Sequence, residues 1–176
     1  MDQPGLEIEA HGLKMVTLQP TSWNDLDRIV DISQGMSSLM CGDFPEDVNR
    51  DSMMWVTKSS PTQAFYTIEV DEKVVGVIGY YVDTGIERHN GEVFGWGGKD
   101  YWRKGHSREA IKKFTQLAFN TSSLERLYAR VFATNNVILN GLKKSGWRKE
   151  GYLKQAAIKN GQLKDVVLFA ITRGEI

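Results

Sequence analysis

The stretch EVFGWGGKDYWRKGHSREAIKKF, residues 92–114, concentrates the residues that could do chemistry. Between residues 103 and 113, Arg103, Lys104, His106, Arg108, Lys112 and Lys113 stand against one acid, Glu109, and they surround Gly105. An amphipathic pattern begins at the same point, with Ala110, Ile111, Phe114, Leu117 and Ala118 on one helical stripe. A helix start presents unpaired N–H groups and the positive end of the helix dipole, both of which suit phosphate. A glycine there lets the backbone come close to a ligand. Lysine plus arginine total 22 and aspartate plus glutamate 22, so the net charge is zero and this positive cluster is local. A local cluster favours a specific anion site over general attraction to a polyanion. The residue chemistry alone also fits a solvated helix start. Neither GxxxxGK[ST] nor GxGxxG occurs, so the segment is not a P-loop or a dinucleotide fingerprint.

The elements that must carry this segment follow from periodicity and punctuation. Leu6 to Ala10 and Lys14 to Leu18 read as a strand pair around His11-Gly12. Ser22 can cap a helix bearing Leu26, Ile29, Val30 and Ile32 on one face. Residues 35–44 are irregular; Pro45 opens a second helical stretch with Val48, Met53, Trp55 and Val56, stopped at Pro61. AFYTIEV and KVVGVIGYYV are strands joined by Asp71-Glu72, and such a short turn makes them antiparallel. EVFGW is a strand, Ser107 to Phe119 a helix, RLYARVF a strand, and Val137 to Ser145 a short helix ended by Gly146. WRKEGYLKQAAIK and LKDVVLFAIT are closing strands around Asn160-Gly161, the strongest two-residue hairpin signal. The expectation is one α+β domain over residues 1–176, layered α/β/α: a mixed, mostly antiparallel sheet of about seven strands flanked by about four helices.

Bulk properties narrow the classes. The 176 residues are 41% hydrophobic and 25% charged, as in an ordinary globular domain that needs no staples. The lone Cys41 cannot form an internal disulfide, which fits a reducing cytoplasm. The start shows no basic-then-apolar leader, and no apolar run reaches the ~18 residues of a membrane helix. A cytoplasmic protein with no membrane partner is expected. The single cysteine and three histidines are scattered without ligand spacing, so no metal is expected. A nucleic-acid partner is disfavoured because the basic cluster lacks interleaved aromatics and net charge. Trp23, Trp55, Trp96, Trp102 and Trp147 read as core or cleft wall, and His89 and His106 as surface.

WRKGHS, residues 102–107, resembles the coenzyme A signature of the Gcn5-related N-acetyltransferases (GNAT), [Gln/Arg]-x-x-Gly-x-[Gly/Ala]. Trp102 in first place is similar to the branch of ribosomal-protein N-terminal acetyltransferases (RimJ/RimL-like); Gly105 takes the glycine place, and Ser107 stands where Gly or Ala is usual. EVFGWGGKDYW, then ERLYARVFATNN with LKKSGW, resemble that branch's strand and second motif, with Asn135 and Gly146 at the family's spacing. KNGQLKDVVLFAITR is similar to its last hairpin, where Asp165 precedes the final strand. The likeness covers roughly residues 13–173.

The resemblance implies an acetyl-CoA-dependent N-acetyltransferase, with acetyl-CoA as co-substrate and direct attack by a primary amine in a ternary complex. The backbone N–H groups of Arg103, Lys104, Gly105, His106 and Ser107 would hold the pyrophosphate, with Trp102 beside them at the cofactor. The strand around Val93 to Gly98, with Trp96, Gly97 and Gly98 as candidate contacts, would pair with the pantetheine arm, and Asn135 would meet the cofactor from a neighbouring strand end. Amine acetylation needs a deprotonated nucleophile and donors for the oxyanion. Glu92 is the candidate base, with a strand-end ion pair to Arg130 or a lysine as the other reading. The hydroxyls usual in the family for protonating the thiolate are replaced by Ile138 and Leu142; Tyr128 or Tyr152 could serve instead. A coenzyme A-binding domain without turnover is the alternative. The acceptor is a small-molecule or peptide amine: a protein N-terminus, a polyamine or another small amine. It is expected between the early helices and the loop at residues 83–91, whose Asp83 and Glu87 could attract a cation. A homodimer stays open.

Overall fold

The computed structural model describes residues 15–36, 40, 44–98 and 105–176. Strand β1 (Val16–Pro20) pairs antiparallel with β2 (Gln63–Val70), which pairs antiparallel with β3 (Lys73–Val82). The proposed partner for β1 at Leu6 to Ala10 lies outside the described residues. Next come β4 (Asn90–Gly97), β5 (Arg126–Phe132), β6 (Arg148–Lys159) and β7 (Gln162–Thr172). The sheet order is β1-β2-β3-β4-β5-β7-β6, and the β4–β5 pair alone is parallel. The fold is α+β, a mixed and mostly antiparallel seven-stranded sheet, as expected from the sequence.

Two turns set the hairpins. Asn160 and Gly161 have φ of 52° and 70°, and Asp71 and Glu72 have φ of 50° and 63°. Positive φ at both central residues is the type I′ geometry, whose twist matches that of paired strands. Asparagine and glycine accept it readily; Glu72 does so against its side chain.

Four α-helices among the described residues cover the two faces. On one face lie α1 (Leu26–Ser33) and α2 (Arg50–Met53), where Leu26, Ile29 and Met53 pack with Phe65, Val77 and Trp96. On the other lie α3 (His106–Thr121) and α4 (Asn136–Lys144), where Ile111, Phe114 and Leu142 pack with Ile78, Leu127 and Phe169. Ser22 caps a 3-10 turn, Trp23–Asp25, before α1; the Asp25 carboxylate accepts from its N–H and hydroxyl, each at 2.8 Å.

The second helical stretch is shorter than its periodicity suggests. It opens at Asn49, not Pro45, with Asn49 accepting from the Ser52 N–H at 3.0 Å. After Met53 it tightens into a 3-10 turn, Met54–Thr57. Trp55, Val56 and Thr57 are poor helix formers in succession, so propensity gives out before Pro61 is reached. Asp165 lies inside β7, not ahead of it. Its carboxylate accepts from the Gln155 N–H at 2.7 Å and the Tyr152 hydroxyl at 2.5 Å, pinning the β6 irregularity between Leu153 and Ala157.

Glu72 is exposed, so replacing it should act through its backbone alone. Glu72→Gly is expected to raise unfolding stability by about 0.5–1 kcal/mol, relief of left-handed strain offset by glycine's entropy. Urea denaturation would show a higher midpoint at unchanged slope; a lower midpoint would contradict the turn assignment.

Candidate active site

Strands β4 and β5 touch over three rungs only: Asn90↔Arg126, Gly91↔Leu127 and Glu92↔Tyr128. Past the third rung β5 continues against β7 and β4 against β3, so the two part. The phase of β4 is fixed at both ends. Asp83 N–H donates to the Asn90 carbonyl at 3.0 Å, and Gly98 N–H donates to the Val75 carbonyl at 2.8 Å. Even-numbered residues of β4 therefore bond to β3, and the odd-numbered ones turn their peptide groups toward β5. Beyond Glu92 those groups, from the Val93 carbonyl to Gly95, face a gap instead of a strand. The gap opens into a cleft of about 1020 Å³, part of it solvent. Ala129 and Val131 of β5, Ser107 and Ile111 of α3, and Asn135 and Ile138 at the start of α4 line it.

The start of α3 opens on the same gap. Gly105 is its N-cap, at φ 80°. A Cβ built there meets nothing within 4 Å, so glycine answers to conformation and not to space. His106 and Ser107, the first residues of the helix, border the cleft; His106 is 8% exposed, a buried residue where the sequence suggested surface. Trp102, Arg103 and Lys104 lie outside the described residues. Two cations counted into the positive cluster have structural employment. Arg108 Nε donates to the Lys144 carbonyl at 3.1 Å, satisfying the end of α4. Lys113 Nζ donates to the Val16 carbonyl at 2.6 Å and pairs with Glu109 at 3.2 Å.

The remaining residues singled out from the sequence fall at graded distances from the gap. Trp96 and Gly97 border it. The Trp96 indole N–H, however, donates to Ser33 Oγ at 2.8 Å in the α1 core. Gly98 is spent on β3 and is not among the lining residues. Asn135 caps α4, its Oδ1 accepting from the Ile138 N–H at 3.4 Å, and also lines the cleft. Ile138 and Leu142 give that wall an apolar surface.

Glu92 stands where the strands part. Its Oε1 accepts from Arg130 Nε at 2.8 Å, the ion pair that was the second sequence reading. It also borders a second recess, on the α1 side, lined by Phe44, Pro45, Glu46, Trp55, Tyr81, Phe94, Arg130 and Lys159. The two hydroxyls considered as proton donors are committed elsewhere. Tyr128 donates to Asp83 at 3.0 Å; burial, then the charges of Glu92 and Asp83 around it, push its phenol well up. Tyr152 donates to Asp165. Tyr81, cross-strand from Glu92, borders the recess, and burial raises its phenol above the ordinary value. Asp83 and Glu87 do not line the recess. Tyr81 and Phe94 were legible from strand parity, since residues 92 and 94 share a face; Phe44 and Glu46 come from irregular chain and carried no periodic signal.

The family model described as "Acetyltransferase (GNAT) domain" matches residues 16–148. The chain is a member of the GNAT acetyltransferase family. No curated protein matches it. Among solved structures it is similar to Mycobacterium smegmatis RimJ in complex with CoA-disulfide, at 21% identity and TM-score 0.77, covering 92% of this chain and 83% of that one. It is also similar to spermidine N-acetyltransferase from Vibrio cholerae in complex with CoA and spermine, at 18% identity and TM-score 0.77, covering 91% and 96%. The ribosomal-protein-S5-alanine acetyltransferase from Vibrio fischeri aligns at 18% identity and TM-score 0.76, covering 91% and 94%. At these identities the likeness establishes the fold.

Trp96 serves the core before the cleft. Trp96→Phe leaves Ser33 Oγ, in a 0% exposed residue, without its donor. A loss of roughly 1–3 kcal/mol in stability is expected, with acetyl-CoA affinity within about twofold of wild type by calorimetry. A large affinity loss at unchanged stability would make the indole a ligand contact instead.

Proposed function

We propose that this chain is an acetyl-CoA-dependent N-acetyltransferase acting on a primary amine by direct attack in a ternary complex. The observation that carries the reading is the parting of β4 from β5 with the N-terminus of α3 open to the same gap. An extended arm bearing amides fits a strand edge that has lost its neighbour, by added-strand hydrogen bonding. A pyrophosphate fits a helix start with a left-handed glycine cap. Bound acetyl-CoA supplies an activated acyl group. The chain's own residues do the rest. Val93 and Gly95 offer backbone polar groups along the arm, and an N–H among them would stabilise the oxyanion. Gly105, His106 and Ser107, with Trp102, Arg103 and Lys104 just before them, would hold the phosphates. Asn135 fixes the start of α4 against the cofactor. Glu92, between cleft and recess, would take a proton from the incoming ammonium, directly or through water. The motif likeness at residues 102–107 favours the RimJ/RimL-like branch, and the single cysteine suits a cytoplasmic setting.

A second reading, a coenzyme A-binding domain without turnover, has one observation in its favour. Ile138 and Leu142 make the cleft wall apolar where the family resemblance expects a hydroxyl. Thiol release in the presence of an amine panel decides between the two.

Two variants test the assignments. Gly105→Glu forces a side chain onto φ 80° and sets a carboxylate at the phosphate end. Acetyl-CoA affinity should fall by about tenfold or more in a folded protein; unchanged calorimetric affinity would remove this loop from the site. Glu92→Gln should lower kcat/KM by about 10²–10⁴-fold at neutral pH. The deficit should shrink as pH rises, because the amine then deprotonates in solution. A pH–rate profile parallel to wild type would exclude Glu92 as the base, and Arg130→Gln controls for loss of the ion pair alone.

A further inference from the structure

The recess behind Glu92 has a composition that selects among amines. Its walls are aromatic: Trp55 lies 6.4 Å from Tyr81 in a stacked arrangement and 5.9 Å from Phe94 edge-on. Phe44 lies 6.5 Å from Phe94. These rings are not equally covered. Phe44 is 6% exposed, Trp55 and Phe94 are half-buried, and Tyr81 is 38% exposed. Trp55 lies between Met53 and Val56, both fully buried, and is itself only partly covered.

Charge limits the guest as much as shape. Among the described residues, the recess is lined by two carboxylates, Glu46 and Glu92, and two cations, Arg130 and Lys159. One of those carboxylates, Glu92, is already ion-paired with Arg130. A polyamine carries several positive charges along its length, and each needs an anionic partner when desolvated. This lining offers no such series and adds two like charges. A single ammonium fits, because Glu92 can receive it at the cleft mouth. A ring on the same molecule fits, because it exchanges water for Trp55, Tyr81 and Phe94.

Resting on the N-acetyltransferase reading, we propose that the acceptor is a primary monoamine with an aromatic or bulky apolar body. Its ring would lie against Trp55, Tyr81 and Phe94 and its nitrogen would face Glu92. The recess then works as the specificity pocket, and the loop at residues 83–91 does not.

The test is equilibrium binding, which does not depend on turnover. Tryptamine, propylamine and spermidine are titrated calorimetrically into the coenzyme A-bound protein. Tryptamine is expected to bind about tenfold or more tighter than either of the others. Tyr81→Ala, at the most exposed ring, should weaken tryptamine about fivefold or more while leaving the coenzyme A affinity within about twofold. Trp55→Ala should weaken it further; if that variant unfolds, Tyr81→Ala and Phe94→Leu carry the test. Spermidine binding as tightly as tryptamine, or tryptamine binding untouched by Tyr81→Ala, would overturn the proposal. Tight, Tyr81-dependent tryptamine binding without acetyl transfer to any amine would uphold the recess and sink the catalytic reading. Coupled transfer to spermidine in preference to tryptamine would do the reverse.

Discussion

The candidate site depends on a hydrogen-bond ladder that stops. Strands β4 and β5 are the one parallel pair in the sheet, and they share three rungs. A strand edge that loses its partner inside a protein leaves backbone polar groups that must be satisfied in another way. In β4 those groups run from Val93 to Gly95, flanked by apolar Ala129, Val131 and Ile138. The fold spends its antiparallel pairings on both outer parts of the sheet and keeps this one seam open. Glu92 and Tyr128 form the last rung, so the charged pair Glu92–Arg130 sits where ladder ends and cleft begins.

The two faces of the sheet divide the labour around that seam. On the α3 side the cleft meets a helix start and the cap of α4, features suited to phosphate and amide. On the α1 side it meets rings and a few balanced charges. Strand parity enforces the division: Glu92, Phe94 and Trp96 share one face of β4, and the cross-strand register puts Tyr81 and Val77 beside them. Helices α3 and α4 are fastened together by Arg108 on the Lys144 carbonyl and Ser145 on the Arg108 carbonyl. That tie keeps both walls of the cleft at a fixed separation, and it explains why some of the basic residues near Gly105 are structural.

Strong periodic signals were readable in the sequence. KVVGVIGYYV reads as a mostly apolar strand, the stripe from Ala110 to Ala118 as a helix, and Asn160-Gly161 as a hairpin turn. Each matches its element within a few residues, because local propensity and tertiary burial agree there. The segment from Pro45 to Pro61 was over-read as one helix, since its apolar spacing follows the core while Trp55, Val56 and Thr57 resist helical geometry. The site was legible where it is made of backbone, at Gly105 and along β4. It was illegible where it is made of long-range pairing. No one-dimensional pattern says that Tyr128 will donate a hydrogen bond to Asp83, or that Phe44, Trp55, Tyr81 and Phe94 will line one recess.

The most direct test of the central claim, that the open seam and the start of α3 together receive the cofactor, is amide hydrogen exchange with and without acetyl-CoA. Peptides covering 93–98 and 105–110 should become protected on addition, while those from the β2–β3 hairpin should not change. Protection confined to other regions, or none at saturating acetyl-CoA, would contradict the account.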